Sequence, residues 1–182
     1  DTYVFEKNGD DKAYPTALTK LMTALLVLEK SPDLFVETTV NGNAIASVEG
    51  SSNASLKAGE IMTVKNLLYC MVLQSANDAA NVLAEHVAGT VGDFVALMNA
   101  KAESLGMTNT HFTNPTGLHD DNMVTSAKDM VKLVQYAAKN PELMEILNTS
   151  YKRIPATNMT ASDRYYSTGN HLISEYITKD YF

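Results

Sequence analysis

The sequence predicts a mixed α and β fold whose middle is mainly helical. Three observations carry that prediction. From Ala17 to Glu29 the apolar residues Leu18, Leu21, Met22, Leu25 and Leu26 recur at three- and four-residue steps, the period of an amphipathic helix. Between residues 63 and 147, capping and stop residues divide the chain into several further helical lengths. After Asn148 the pattern becomes tyrosine-rich and extended, as in a β-hairpin.

In chain order, Thr2-Tyr3-Val4-Phe5 reads as a short strand ended by the turn Asn8-Gly9-Asp10-Asp11. Pro15 stands just before the first helix, as expected of a residue with no N–H to offer an intrahelical bond. Residues 31 to 62 hold turn formers such as Asn41-Gly42 and Ala58-Gly59 without a sustained period, and read as loops with brief strands. Thr63 can cap a helix through Leu73, and a second helix runs from Asn77 to Ala88 and closes at Gly89. Ser75 falls in the break between them. Another helix spans Asp93 to Leu105 and stops at Gly106, followed by a polar loop from Thr108 to Asn122. Ser126 with Asp129 has the spacing of a capping box for a helix to Lys139, and Pro141 opens one more.

Composition bounds the function. The chain has 182 residues, 45% hydrophobic and 19% charged, enough for one domain with a substantial core. A net charge of -7, with no basic run, argues against a nucleic acid partner. The lone cysteine, Cys70, lies in the apolar run Leu67 to Leu73 and reads as a buried inert thiol; it excludes an internal disulfide and leaves the compartment open. No apolar stretch reaches the roughly 18 residues of a membrane span, and no signal peptide pattern opens the chain, which reads as soluble or already trimmed. No metal or cofactor is expected.

Two short motifs carry chemistry. Tyr14-Pro15-Thr16-Ala17-Leu18-Thr19-Lys20 places a lysine on the first helix, and Gln74-Ser75-Ala76-Asn77 places a Ser-x-Asn in a helix break. A lone lysine is most often a solvated side chain, and a lone Ser-x-Asn most often a cap. Together, and in this order, they resemble the Ser-x-x-Lys and Ser-x-Asn motifs of low-molecular-weight penicillin-binding proteins, the D-alanyl-D-alanine carboxypeptidases. Leu56-Lys57-Ala58-Gly59-Glu60, Leu105-Gly106-Met107 and Asn114-Pro115-Thr116-Gly117-Leu118-His119 resemble segments of the same family, so the resemblance covers essentially the whole chain.

The resemblance implies a β-lactamase/DD-peptidase-like fold, an antiparallel sheet flanked by helices plus a mainly helical lobe, of which residues 1–182 cover the helical part and only part of the sheet. It also implies roles. Position 17 is where the nucleophilic serine belongs, and it is alanine. Lys20, three residues on, lies one helical turn from it on the same face; as a base it must be partly desolvated, which lowers its pKa toward neutrality. Ser75 would relay a proton near the leaving group, and the Asn77 amide would hold the substrate backbone. Thr16 offers a hydroxyl one residue early, but roughly 100° around the helix, off the face of the lysine.

The implied substrate is a peptidoglycan stem peptide ending in D-Ala-D-Ala, attacked through an acyl-enzyme, with β-lactams as mimics and the extracytoplasmic cell envelope as the location. With Ala17 the chain is expected to be inactive, and a deliberate replacement of the serine is the preferred explanation. A third family motif, Lys-Thr-Gly, is absent from residues 1–182, as are the opening helix and strand. Lys57-Ala58-Gly59 precedes Ser75 and lacks the hydroxyl, and Ser167-Thr168-Gly169 lacks the lysine. The chain is therefore expected to need the missing strands, from further sequence or from the rest of the same protein as a second chain.

Two rivals remain open. A muropeptide-binding pseudoenzyme would need only the binding groups. A class A β-lactamase would need Ser-Asp-Asn and a downstream glutamate loop; Asn109 to Asn122 holds no glutamate, and Glu142 and Glu145 read as the outer face of a short helix. His119 and Asp120 read as loop residues rather than members of a triad.

Overall fold

The computed structural model describes residues 4–169. Helix α1 (Thr19–Lys30) follows a single 3-10 turn at Thr16–Leu18. Strand β1 (Glu37–Thr39) and β2 (Ile61–Thr63) pair antiparallel, with Thr38 opposite Met62. Between them lies α2 (Gly42–Ala46). Helices α3 (Val64–Leu73), α4 (Asn77–Ala88) and α5 (Val91–Ser104) follow, then α6 (Ala127–Ala137) and α7 (Pro141–Leu147) after the long loop. Strands β3 (Tyr151–Ile154) and β4 (Arg164–Ser167) form the terminal hairpin, Tyr151 opposite Ser167.

The helix α4 is the hub, packing against α1, α2, α3 and α5. Its sequence explains this: Ala79, Ala80 and Ala84 are small enough to let neighbouring helices approach, and every residue from Asn77 to Ala84 is buried. Met22 and Leu25 of α1, Leu67 and Met71 of α3, Phe94 and Met98 of α5, and Leu133 of α6 complete one continuous core. Cys70 sits inside it, fully buried, and burial pushes its thiol up to about 12, so it is inert.

The helix starts follow their caps. Thr63 accepts from Asn66 N–H, Asn140 from Leu143 N–H and Ser126 from Asp129 N–H. The capping box at Ser126 is only half made. The Asp129 carboxylate turns away, taking Asn109 N–H at 2.8 Å and the Thr110 hydroxyl at 2.9 Å, and so ties α6 to the long loop. The loop is held on its other flank by Asn99, which donates to Phe112 O and accepts from Phe112 N–H.

Other expectations need correction. Residues 2 and 3 of the proposed first strand lie outside the described residues; Val4 and Phe5 are exposed and unpaired among the described residues. Residues 31 to 62 contain a helix, α2, started by the Asn41 side chain accepting from Asn43 N–H. Glu142 and Glu145 do lie on the outer face of α7, and there they approach Lys65 at 2.9 and 3.6 Å, pinning α7 to the start of α3. Among the described residues the strands form two antiparallel pairs, part of the antiparallel sheet expected. Among the described residues no helix is long and apolar enough to cross a membrane.

Candidate active site

Buried Pro15 leads into the 3-10 turn, where Leu18 N–H donates to Pro15 O at 3.1 Å. Ala17 is exposed on that turn, while Thr19 and Lys20 face inward. Only 8% of Lys20 is accessible, and its ammonium donates to Thr116 O at 2.6 Å. One turn later Thr23 donates to Pro115 O at 2.7 Å, so consecutive carbonyls of the loop receive one face of α1. Lys20 makes no ion pair among the described residues. Burial without a compensating carboxylate disfavours its charged form and lowers its pKa from 10.5 to about 8.

The receiving loop is fixed by Asn114. Its Oδ1 accepts from Thr116 N–H, the Thr116 hydroxyl and Gly117 N–H, and its Nδ2 donates to Leu118 O. Such an Asx arrangement holds backbone carbonyls in place without secondary structure.

Ser75 lies in the break between α3 and α4 at φ +50°, a left-handed conformation uncommon for serine. It is half-buried, and its hydroxyl makes no hydrogen bond among the described residues. Asn77, 4% exposed, opens α4. Its N–H donates to Ser52 O at 2.8 Å, and its Nδ2 to Ser51 Oγ at 3.0 Å. Its Oδ1 is buried with no partner among the described residues, an acceptor left for something else. Next to it, the Asp78 carboxylate takes the N–H groups of Ala54, Leu56 and Ala79, docking residues 51–56 onto α4.

The helix α1 packs on both α3 and α4, so Lys20, Ser75 and Asn77 stand on one helical core. No hydrogen bond joins Lys20 to Ser75 or Asn77. A cavity of about 420 Å³ lies elsewhere, between α2 and residues 53–58, with Asp78 on its wall. Thr16 is exposed, and His119 is exposed beside Asp121 and edge-on to Tyr14 at 4.7 Å. No cluster suited to a metal occurs among the described residues.

Reading residues alone missed three contributors. The carbonyls of Pro115 and Thr116 are backbone groups with no side-chain signature, and they lie 92 and 96 positions from their α1 partners. Ser51 has no marker beyond its place in a serine-rich turn.

The chain matches the D-alanyl-D-alanine carboxypeptidase family over residues 2–180. It is similar to D-alanyl-D-alanine carboxypeptidase DacF of Bacillus subtilis, at 34% identity over 148 residues, covering 80% of this chain and 38% of that protein. It is also similar to the D-alanyl-D-alanine endopeptidase of Escherichia coli, at 34% identity, covering 93% of this chain and 54% of that one. The chain thus spans about a third to a half of the curated relatives it matches. Among solved structures, a Streptomyces DD-transpeptidase superposes with a TM-score of 0.87 at 29% identity, covering 95% of this chain and 71% of that one. A D-alanyl-D-alanine carboxypeptidase from Mycobacterium tuberculosis gives 0.83 at 28%, covering 93% and 62%. With the match running nearly end to end and these neighbours of one kind, the chain belongs to the D-alanyl-D-alanine carboxypeptidase family.

Proposed function

We propose that this chain is the motif-bearing part of a serine-type D-Ala-D-Ala carboxypeptidase catalytic domain in which Ala17 occupies the nucleophile position. The observation that carries the reading is the Lys20 amine, buried, without a counter-ion and lowered to about 8. At neutral pH roughly a tenth of such an amine is free base, enough to act as a general base. With serine at position 17, the hydroxyl proton passes to Lys20 as the oxygen adds to the carbonyl between the two D-alanines. The departing D-alanine amine takes a proton through Ser75, and water then hydrolyses the ester. The unpartnered Asn77 Oδ1 supports a role in holding the substrate backbone. The substrate carboxylate would be held by a Lys-Thr-Gly strand outside residues 1–182.

With Ala17 there is no oxygen to form the ester. Loss of a nucleophile costs roughly 10⁶ in turnover, about 8 kcal/mol of barrier. The chain would still bind stem peptides and β-lactams without reacting, and it would act in the extracytoplasmic cell envelope. A binding role without chemistry is the second reading, favoured by the unpartnered Asn77 acceptor together with an alanine at position 17. The test is Ala17→Ser in the full-length protein with penicillin, read by intact mass. A covalent adduct is expected; its absence from a folded Ala17→Ser protein removes the enzymatic reading.

A further inference from the structure

The turn presenting position 17 is strained, and the strain has a visible partner. Thr16 has φ +48°, a region that a β-branched residue occupies only when its surroundings enforce it. Gly117, at φ +81°, lies directly against it. A Cβ on Gly117 would stand 1.8 Å from Thr16 O, 2.5 Å from Thr16 C and 3.1 Å from Thr19 Oγ1. The nearest obstructing atoms are backbone, so no rotamer change can open the space. The flanking carbonyls of the same loop hold Lys20 and Thr23, and Asn114 fixes the loop from beneath. One short loop therefore touches the residue before position 17 and the lysine after it.

We infer that Gly117 is a positioning residue: the absence of its side chain lets the 114–117 loop lock the turn at position 17 and the Lys20 amine into one mutual geometry. The loop acts on both partners from the outside and takes part in no bond change. The inference rests on the carboxypeptidase reading only for the identity of the nucleophile, so its test uses neither substrate nor penicillin.

The reporter is a thiol at position 17. In an Ala17→Cys protein the rate of alkylation by iodoacetamide is followed against pH, with circular dichroism and thermal melting to confirm folding. A free thiol titrates near 8.5, and a lysine ammonium one turn away lowers that value, so at pH 7 the thiolate fraction should rise roughly tenfold. Adding Gly117→Ala should return the profile toward that of a free thiol and slow the reaction at pH 7 by a similar factor. Adding Thr16→Gly to that pair should restore the profile in part, because a glycine lets the crowded carbonyl turn aside. Asn114→Ala, which loosens the loop without a clash, should shift the profile in the same direction as Gly117→Ala, by less; it carries the test if Gly117→Ala does not fold. An Ala17→Cys thiol that titrates like free cysteine overturns the inference, as does an unchanged profile in whichever loop variant folds. Failure here leaves a penicillin adduct on the Ala17→Ser protein possible, and the two results are therefore separable.

Discussion

Two buried charges in this molecule are treated in opposite ways. Glu60, fully buried, is met by everything a carboxylate can use. Arg164 binds both of its oxygens at 2.8 and 3.0 Å, the Thr157 hydroxyl adds a bond at 2.6 Å and Lys57 N–H another at 3.0 Å. Burial alone would raise its pKa, but these bonds outweigh that and hold it below the ordinary value. Lys20, almost as buried, has one backbone carbonyl and no anion. The first arrangement fastens the β3–β4 hairpin to the turn just before β2 and keeps its charge. The second leaves a cation ready to lose its proton. Satisfaction of a buried charge thus decides whether the group holds its charge better than burial does.

The comparison can be broken at either end. The largest effect on stability is expected from Glu60→Gln, which leaves Arg164 facing a neutral amide in a nearly dry site and should cost about 3 kcal/mol in urea unfolding. Because the pKa of Glu60 is depressed, its contribution is present above the carboxylate's unfolded value and disappears as pH falls through the lower folded value. Acid titration of the parent should lose this increment while the Glu60→Gln protein does not.

Lys20→Met should do the reverse. Ionising Lys20 in the folded state is disfavoured by about 3 kcal/mol from the shift of 10.5 to about 8. The lost bond to Thr116 O offsets about 1 kcal/mol of that. The substituted protein should therefore be more stable by about 1–2 kcal/mol below pH 8. The unfolded chain binds more protons than the folded one between pH 8 and 10.5, so the parent gains about 3 kcal/mol across that window and the difference should close and then reverse. A parent more stable than Lys20→Met at pH 7 would contradict the account of an unsatisfied amine.

A smaller loss, about 1 kcal/mol, is expected for Ser126→Ala, which removes the cap of α6, measured by the midpoint of urea unfolding. The smallest belongs to Asp121→Ala. Its pair with His119 is exposed on both sides, and its removal should change stability by less than about 0.5 kcal/mol. A loss as large as that at Glu60 would contradict the small worth of a solvated ion pair.

Local chemistry was legible where it was local. Thr63, Ser126 and Pro141 announced three helix starts because a capping side chain or a first-turn proline acts within three residues. The helix α2 escaped because five residues are too few to show a period, and the carboxylate of Asp129 escaped because its partners at Asn109 and Thr110 belong to a different element. Lys20 could be singled out only through its resemblance to a known motif; on periodicity it was one more lysine on a helix. The Thr116 carbonyl and the crowding at Gly117 carry no side-chain signal at all, since they arise when distant backbones meet.

That separation of 96 positions has a consequence in time. During synthesis, α1 emerges with its lysine long before residue 116 exists, and a nascent helix alone leaves the amine in water with an ordinary proton affinity. The lowered proton affinity of Lys20 is acquired only once the later loop arrives and closes over it, so the lysine is placed early in the chain and receives its environment late.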